Sequence, residues 1–328
     1  WIIAAMLVGL LSWMVAKRMT DRPSMGEPSA FAKAVDLGAW SRAAVHTEGR
    51  LKSFESFADQ MTRYVSGPHS INGQSAAFTY FDLMLRPERY EQADVIFVKS
   101  KPLRGLLAQR LEGRMDGARV ARFERTGLMS PEVLLGDAEV HGLLVRLSRD
   151  AMRTAKHVEQ IETALHVRTP ALLVDNRRVI PPVGGEDASM RAWTSITALG
   201  GGAPMDAAHG GAAAPRGIPG MDAGRQAALA SAWTDFGAAW KAEDAPRVNE
   251  ASARLVSLLH EVNPAVYPST ERLAWEGRYF RMNNFTWVWI IYLASVAALL
   301  MGIVYRWKRA RWIGAGLFLL AFGLHTAA

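Results

Sequence analysis

The chain has 328 residues, a formal net charge of +7 and no cysteine, which leaves room for one large or two small folded domains together with membrane segments. The lack of cysteine excludes disulfides and a CxxCH haem-attachment motif, so packing alone must hold an exported domain together. The sequence contains no basic stripe interleaved with aromatic residues, and we therefore expect no nucleic-acid partner.

Three apolar segments without Asp, Glu, Lys or Arg lie near the ends of the chain, at residues 1–16, 285–305 and 312–328. The second has 21 residues, and a helix of roughly 20 residues crosses the hydrocarbon core of a bilayer. We predict three transmembrane helices. For residues 1–16 a cleaved signal peptide is the alternative, but the following AKRMTDRP contains no small-residue cleavage site, which favours a membrane anchor.

The short basic loop 306–311, RWKRAR, sets the predicted orientation. Cytoplasmic loops carry an excess of Lys and Arg, although attraction to anionic lipid headgroups also explains such a loop. The region from about 17 to 284 then lies outside, which predicts a protein of the bacterial inner membrane with a large periplasmic domain. Lys17 and Arg18 argue weakly against this orientation.

The first predicted helix of this domain begins after Ser53, a suitable N-cap, and ends at Gly67. Its apolar face consists of residues at helical spacing, namely Phe54, Phe57, Ala58, Met61, Tyr64 and Val65. A second helix is predicted for Ser75–Leu85, because Arg86-Pro87 follows.

The next segments mix strand and helix signals. Ala93–Ser100 is rich in β-branched and aromatic residues and predicts a strand. Ser130 caps a further helical region, which is expected to run with one break to about Val167. Residues 171–185, ALLVDNRRVIPPVGG, predict a short strand, a turn and an extended exit.

Residues 200–224 are rich in Gly, Ala and Pro and predict a flexible loop, since no GK[ST] follows to make a phosphate-binding loop. Two amphipathic helices follow and should pair as a helical hairpin. Their apolar faces are Leu229, Trp233, Phe236 and Trp240 in the first, and Val248, Ala251, Leu255, Leu258 and Val262 in the second. A short helix then leads into the apolar segment at Phe285.

The predicted fold class is a mainly α membrane protein, with three transmembrane helices and a mostly helical periplasmic domain containing a minor strand component. The predicted divisions are a transmembrane helix at 1–16, the periplasmic domain at 17–199, the flexible loop at 200–224, the helical hairpin and membrane junction at 225–284, a transmembrane helix at 285–305, the basic cytoplasmic loop at 306–311 and a transmembrane helix at 312–328.

No catalytic or metal-binding pattern is present. The eight histidines form no HExxH or HxH motif, and no carboxylate pair stands out as a general acid and base. His325 differs because it lies inside an apolar segment, where an ionisable residue is costly and often functional. It is a candidate axial ligand of haem; a hydrogen bond between helices, or a position at the membrane edge, are the alternatives. Trp287 and Trp289 are typical of an interfacial aromatic belt.

Six segments in the same order resemble one family, the CcsA/ResC (system II) cytochrome c biogenesis proteins. The segments are EGRLKSFESFA (48–58), FDLMLRPERYEQADVIFVKSKPLRGLL (81–107), MSPEVLL (129–135), IPPVGGEDASMRAWTSI (180–196), ERLAWEGRYFRMNNFTWVWIIYLASVAALL (271–300) and GLFLLAFGLHTAA (316–328). They resemble the family's GRxKPLDTFA element, its P-E-x-W turn and strand, its SPxEL helix start, its PP…W exit, its membrane junction and its next span.

The resemblance implies a membrane component that delivers and attaches haem to apocytochrome c, in a family of haem lyases. This portion would supply the periplasmic interaction domain, with apocytochrome c or a ResB-like subunit as partner. We expect interaction residues at Arg50, Lys52, Phe54, Phe57, Trp287 and Trp289. For Arg50 and Lys52, solvation or pairing with acidic neighbours is the alternative.

The sequence also departs from that family. KPLDT is replaced by KSFES at residues 52–56, and the family's WWD haem-handling segment does not occur in these 328 residues. This favours a second hypothesis, in which the chain is a non-catalytic structural subunit derived from the family. It would stabilise a larger respiratory or photosynthetic membrane complex through neighbouring membrane subunits and the lipid bilayer.

Overall fold

A computed structural model of the protein describes residues 26–150, 152–175, 177–184, 191–199, 217–282 and 284–326, with the backbone alone for the described residues between 278 and 286. The predicted helix at 1–16 and most of the loop 200–224 lie outside these residues. The described part is mainly helical with few strands, as the sequence predicts.

The helices and strands of the described part are as follows. The α-helices are α1 (Ala30–Ala34), α2 (Phe54–Ser66), α3 (Ala76–Leu85), α4 (Lys101–Leu111), α5 (Gly117–Thr126), α6 (Pro131–Gly136), α7 (Ala138–Ser148), α8 (Ala155–Val167), α9 (Pro170–Asp175), α10 (Ala223–Lys241), α11 (Ala245–Val262), α12 (Thr270–Met282), α13 (Asn284–Val304) and α14 (Lys308–Thr326). The strands are β1 (Ala44–Thr47), β2 (Arg50–Ser53), β3 (Ile96–Phe97), β4 (Leu128–Met129), β5 (Arg178–Ile180) and β6 (Thr194–Ser195). Short 3₁₀-helices lie at Gly38–Arg42, Ile71–Gly73, Pro87–Tyr90 and Ile196–Leu199.

The chain divides into two compact units, and residues 23–274 form the larger one. This unit is called the domain below. The other unit contains residues 275–328, together with 1–22, which lie outside the described residues.

A small antiparallel sheet in the domain has the strand order β2-β1-β5-β6. β1 and β2 form a hairpin in which Val45 pairs with Lys52 and Thr47 with Arg50. Its two turn residues, Glu48 and Gly49, have φ values of 50° and 77°, the conformation of a tight type I′ hairpin turn. Neither strand is predicted from the sequence.

Helix α2 begins as predicted, because the Ser53 hydroxyl accepts a hydrogen bond from the backbone N–H of Ser56. It ends at Gly67, whose φ of 59° and close approach to Phe97 leave no room for a Cβ atom. Tyr64, predicted on the apolar face, is 47% exposed.

Three other predictions need correction. The strand expected over Ala93–Ser100 is limited to Ile96 and Phe97, which pair with Leu128 and Met129. The short strand expected at the start of residues 171–185 is instead part of helix α9, and the strand starts at Arg178. Helical structure from Ser130 to Val167 is interrupted twice, because Asp137 caps α7 and turn residues at 149 and 152–154 separate α7 from α8.

The helical hairpin is confirmed as α10 and α11, which are capped by the carboxylates of Asp222 and Asp244. Its apolar face is buried as predicted, except that Leu259 rather than Leu258 is fully covered. The hairpin shares one core with the N-terminal helices. The ring centroids of Phe236 and Phe81 are 4.9 Å apart.

Candidate functional site

The β1–β2 hairpin and the start of α2 carry four of the predicted interaction residues. Arg50 is exposed on β2 beside the tight turn. Lys52 is only 5% exposed, and its Nζ donates to Glu48 Oε2 at 3.3 Å and to Gln60 Oε1 at 2.7 Å. Lys52 therefore holds the turn to α2, which is the acidic pairing that the sequence analysis gives as the alternative.

Phe54 and Phe57 are fully buried. Phe54 stacks on Phe81 with ring centroids 5.0 Å apart and meets Trp40 at 4.7 Å. Since a side chain in the core offers no surface to another protein, these two residues stabilise the domain. Of the four residues in this element, Arg50 alone is open to a partner.

The strongest buried polar cluster of the domain centres on Asp82, which is 2% exposed. Its Oδ1 accepts from Arg86 Nε at 2.6 Å and from Trp240 Nε1 at 2.9 Å, and its Oδ2 accepts from the Tyr90 hydroxyl at 2.5 Å. Burial and the charge of Asp82 raise the pKa of Tyr90. Arg86 also donates to Glu243 Oε1 at 2.6 Å, in the turn between α10 and α11. The cluster ties α3 to the helical hairpin.

Arg177 is the second buried charge that the sequence analysis does not identify. It is fully buried, and its guanidinium carbon lies 4.2 Å from the ring centroid of Trp233 and 5.6 Å from that of Phe81. The three guanidinium nitrogens form no hydrogen bond with the described residues. Burial lowers the pKa of Arg177 to about 10, so the group stays a cation at neutral pH, held against ring faces.

Helices α13 and α14 pack tightly as a second helical hairpin, called the apolar hairpin below. A Cβ atom on Gly314 would lie 2.7 Å from the Leu299 side chain and 2.9 Å from its backbone nitrogen. The buried Ser295 hydroxyl donates to the Gly314 carbonyl at 2.8 Å, and Arg311 Nε donates to the Gly302 carbonyl at 3.1 Å. Small residues at a helix contact with a hydroxyl bond across it are typical of helix pairs in membranes.

The outer surface of the apolar hairpin carries its large side chains. Those at least 60% exposed are Trp289, Leu293, Ile303, Val304, Tyr305, Trp312 and Leu319. One helix of the described part, Trp287–Val304, is long and apolar enough to cross a membrane. Trp287 and Trp289 lie in its first turn with exposed fractions of 38% and 62%, where an interfacial belt would place them.

His325 lies on the exposed side of α14, and its ring centroid is 6.2 Å from that of Tyr292 on α13. A single imidazole can supply one axial ligand of haem. No group of three His, Cys, Asp or Glu side chains with metal-binding geometry occurs in the part of the chain that the structure describes.

Taken together, these contacts separate the predicted site residues. Lys52, Phe54 and Phe57 have structural roles within the domain, Arg50 is exposed on it, and Trp287, Trp289 and His325 belong to the apolar hairpin. Of the two missed residues, Asp82 carries a signal in the sequence, because it lies between Phe81 and Leu83 in an apolar helix and a buried charge must find partners. Arg177 lies between Asn176 and Arg178, so no local pattern marks it as buried.

A scan against models of protein families found no family that matches the chain, and a search of curated proteins found no relative.

Proposed function

We propose that the chain is a membrane-anchored interaction component of cytochrome c biogenesis, whose domain engages apocytochrome c or a ResB-like subunit. The apolar hairpin carries the membrane part of this proposal. Its interior is made of small residues and a hydroxyl, while its large apolar side chains face outward. These outward-facing apolar side chains would be unfavourable in water, whereas lipid solvates them without cost.

The finer topology also belongs to this proposal. Helix α13 would be one span, and α14 would be the next, with its apolar part following Arg311. The segment 1–16 would be a third span. The basic segment 306–311, predicted as a loop, is helical from Lys308 onward because α14 begins there. It would face the cytoplasm and place the domain in the periplasm.

The assignment to cytochrome c biogenesis rests on the six segments that resemble the CcsA/ResC family. Two of them coincide with well-defined parts of the domain. EGRLKSFESFA spans the β2 strand and the capped start of α2, and FDLMLRPERYEQ contains Asp82, Arg86 and Tyr90 of the buried cluster. In both, the residues have packing roles that any sequence with this fold would need.

The alternative is a structural subunit of a larger respiratory or photosynthetic membrane complex. The wide exposed apolar surface of the apolar hairpin favours it, since neighbouring transmembrane helices could pack there as well as lipid. In this alternative Trp287 and Trp289 contact the complex or its lipids, and the exposed His325 needs no haem.

Purification of the natural protein from its own membrane in a mild detergent tests the two functions. Biogenesis predicts a haem absorption spectrum and a cross-link from a photoreactive residue at Arg50 to apocytochrome c or a membrane partner. The structural role predicts stoichiometric recovery with an oxidoreductase or a photosynthetic complex and no haem of its own. A protein recovered alone, without haem and without cross-links, would contradict both.

A further inference from the structure

The turn between α7 and α8 is a strongly basic stretch of the domain surface. Residues 146–156 contain Arg146, Arg149, Arg153 and Lys156 and a single acidic residue, Asp150. All four cations are exposed, and none forms an ion pair with a described residue. The turn thus presents uncompensated positive charge to the solvent.

The one carboxylate in this turn is used by the backbone. Asp150 Oδ1 accepts hydrogen bonds from the N–H groups of Met152 and Arg153, both at 3.2 Å. Its carbonyl oxygen accepts from Thr154 and Ala155 at 3.2 and 2.9 Å. These bonds fix the shape of the turn and leave Asp150 in a poor position to neutralise the guanidinium groups around it.

The start of α8 adds to the positive potential. Thr154 is the N-cap residue but forms no capping bond. Its hydroxyl instead donates to the Leu147 carbonyl at 2.5 Å. No acidic residue lies in the first turn of α8, and Lys156 lies there instead. Cations at a helix N-terminus oppose the helix dipole, so a bound anion would relieve an unfavourable arrangement.

Met152 gives the turn an apolar tip. It is 93% exposed, the highest value among the exposed large hydrophobic residues of the described part. A flexible apolar side chain surrounded by cations suits a surface that is anionic on the outside and apolar beneath. An anionic lipid bilayer has both properties, whereas the phosphate backbone of a nucleic acid offers no apolar layer to the methionine.

We propose that this turn, defined by Arg146, Arg149, Met152, Arg153 and Lys156, docks the domain on an anionic bilayer. The cations bind lipid phosphates and Met152 enters the headgroup layer. The inference deepens the proposed membrane function, but it concerns the domain and stands apart from insertion of the apolar hairpin. It adds a contact that salt and lipid composition control.

The test uses the full chain, which has no cysteine of its own. Met152→Cys carries a fluorophore, and the exposed Ala227→Cys on α10 carries the same fluorophore as the control. Each chain is reconstituted in vesicles of phosphatidylcholine, or of phosphatidylcholine with an equal amount of phosphatidylglycerol, both containing nitroxide-labelled lipid. We expect the label at 152 to be quenched only in the anionic vesicles, and the quenching to decrease as salt is added.

Charge variants identify the residues responsible. Replacing Arg146, Arg149, Arg153 and Lys156 by Gln should lower the ratio of docked to undocked domain by about fivefold for each cation removed. A matched control replaces four other exposed cations by Gln, namely Lys99, Lys101, Arg122 and Arg125, and should leave the quenching unchanged.

Several results would overturn the docking proposal: equal quenching in the two vesicle types, no effect of the first variant, or an equal effect of the control variant. Binding of an oligonucleotide at the turn, with the label unquenched in anionic vesicles, would assign the turn to nucleic acid. Flotation with neutral vesicles reports insertion of the apolar hairpin separately. If the chain floats with neutral vesicles but its label is never quenched, docking is refuted and insertion is not. If the label is quenched in anionic vesicles but the chain does not float with neutral ones, insertion is refuted and docking is not.

Discussion

The core of the domain and the interior of the apolar hairpin are built in opposite ways. In the domain, large aromatic side chains such as Phe54, Phe81 and Trp240 are buried, and polar groups reach the interior only with specific partners. In the apolar hairpin, Ser295 and Gly314 face inward and leucines face outward. The first arrangement is stabilised by removing apolar surface from water, and the second by close helix packing of the kind that is typical of membranes.

The side chains that each unit buries therefore indicate whether water or lipid suits its surface. Asp82 in the domain is surrounded by three donors, because a carboxylate without partners would cost several kcal/mol in the core. On the apolar hairpin, Leu293 and Leu319 are exposed, and an apolar side chain covered by lipid needs no hydrogen-bond partner. Four changes test this comparison.

The largest effect is expected for Asp82→Ala. The variant leaves Arg86, Tyr90 and the Trp240 indole without their common acceptor, and we expect a loss of about 3–5 kcal/mol in the free energy of unfolding. Chemical denaturation of the chain in detergent, followed by tryptophan fluorescence, measures it.

Asp59→Ala is the matched control, because Asp59 also pairs with an arginine four residues later, Arg63, at 2.6 Å. The side chains of that pair are 30% and 54% exposed, so the expected loss is only about 0.3–0.5 kcal/mol. Similar losses for the two variants would contradict a special role for the buried cluster.

A smaller effect is expected for Gly314→Leu. The new side chain would overlap Leu299 and force α13 and α14 apart, at a cost of about 1–3 kcal/mol to the paired state. Energy transfer between fluorophores on the two helices measures the separation in micelles. Gly316→Leu is the control, since no atom lies within 4 Å of a Cβ there. A helix pair that tolerates both changes equally would show that close packing does not hold the apolar hairpin.

Tyr267→Phe tests a half-buried phenol of the domain. The Tyr267 hydroxyl oxygen accepts the Ala44 N–H at 2.9 Å, so we expect a loss of about 1 kcal/mol at neutral pH. Burial raises the pKa of Tyr267 to about 12, and the folded state therefore holds the proton more tightly than the unfolded state.

The sign of the pH dependence follows from that shift. The stabilisation by the protonated phenol is fully present below pH 10 and is lost as the pH rises through 12. Urea unfolding between pH 8 and 12 should show the difference between wild type and Tyr267→Phe shrinking, while other tyrosines cancel in the comparison. A difference that grows with pH would mean that Tyr267 ionises more easily in the folded state.

The smallest effect on stability is expected for Arg50→Gln. Arg50 is exposed, so the free energy of unfolding should change by less than about 0.5 kcal/mol. If Arg50 contacts a partner, the cross-linking yield from a neighbouring position should fall while stability is kept. An unfolding change as large as that of Asp82→Ala would instead give Arg50 a structural role.

Much of the local structure could be predicted from short stretches of sequence. Ser53 and Gly67 mark the two ends of α2, and the helical spacing of apolar residues predicts the α10–α11 hairpin. Both signals are local, because caps and helical periodicity involve residues a few positions apart. The apolar helix Trp287–Val304 was also readable from composition. The short strands were missed or overextended, since two to four residues give a weak periodic signal.

The roles of the individual site residues depended on distant partners. In the sequence, Phe54 and Phe57 fit a surface that binds a partner as well as they fit a core. Only their ring contacts with Phe81 and Tyr80 of α3 show that they are core residues. Asp82 meets Trp240 across 158 positions of sequence, and no local pattern predicts that contact. Lys52, by contrast, finds Glu48 and Gln60 nearby, so the sequence analysis already contained its pairing as an alternative.

Local sequence patterns are sufficient to predict a mainly helical protein, the starts of its capped helices and one segment that is apolar enough for a membrane. Only contacts between distant elements show that Arg177 lies against Trp233 and Phe81. Likewise, only the packing of α14 on α13 shows that a residue larger than Gly314 would not fit at that position. The physical reason is range: caps and periodicity act within one or two helical turns, whereas burial depends on which distant elements pack together.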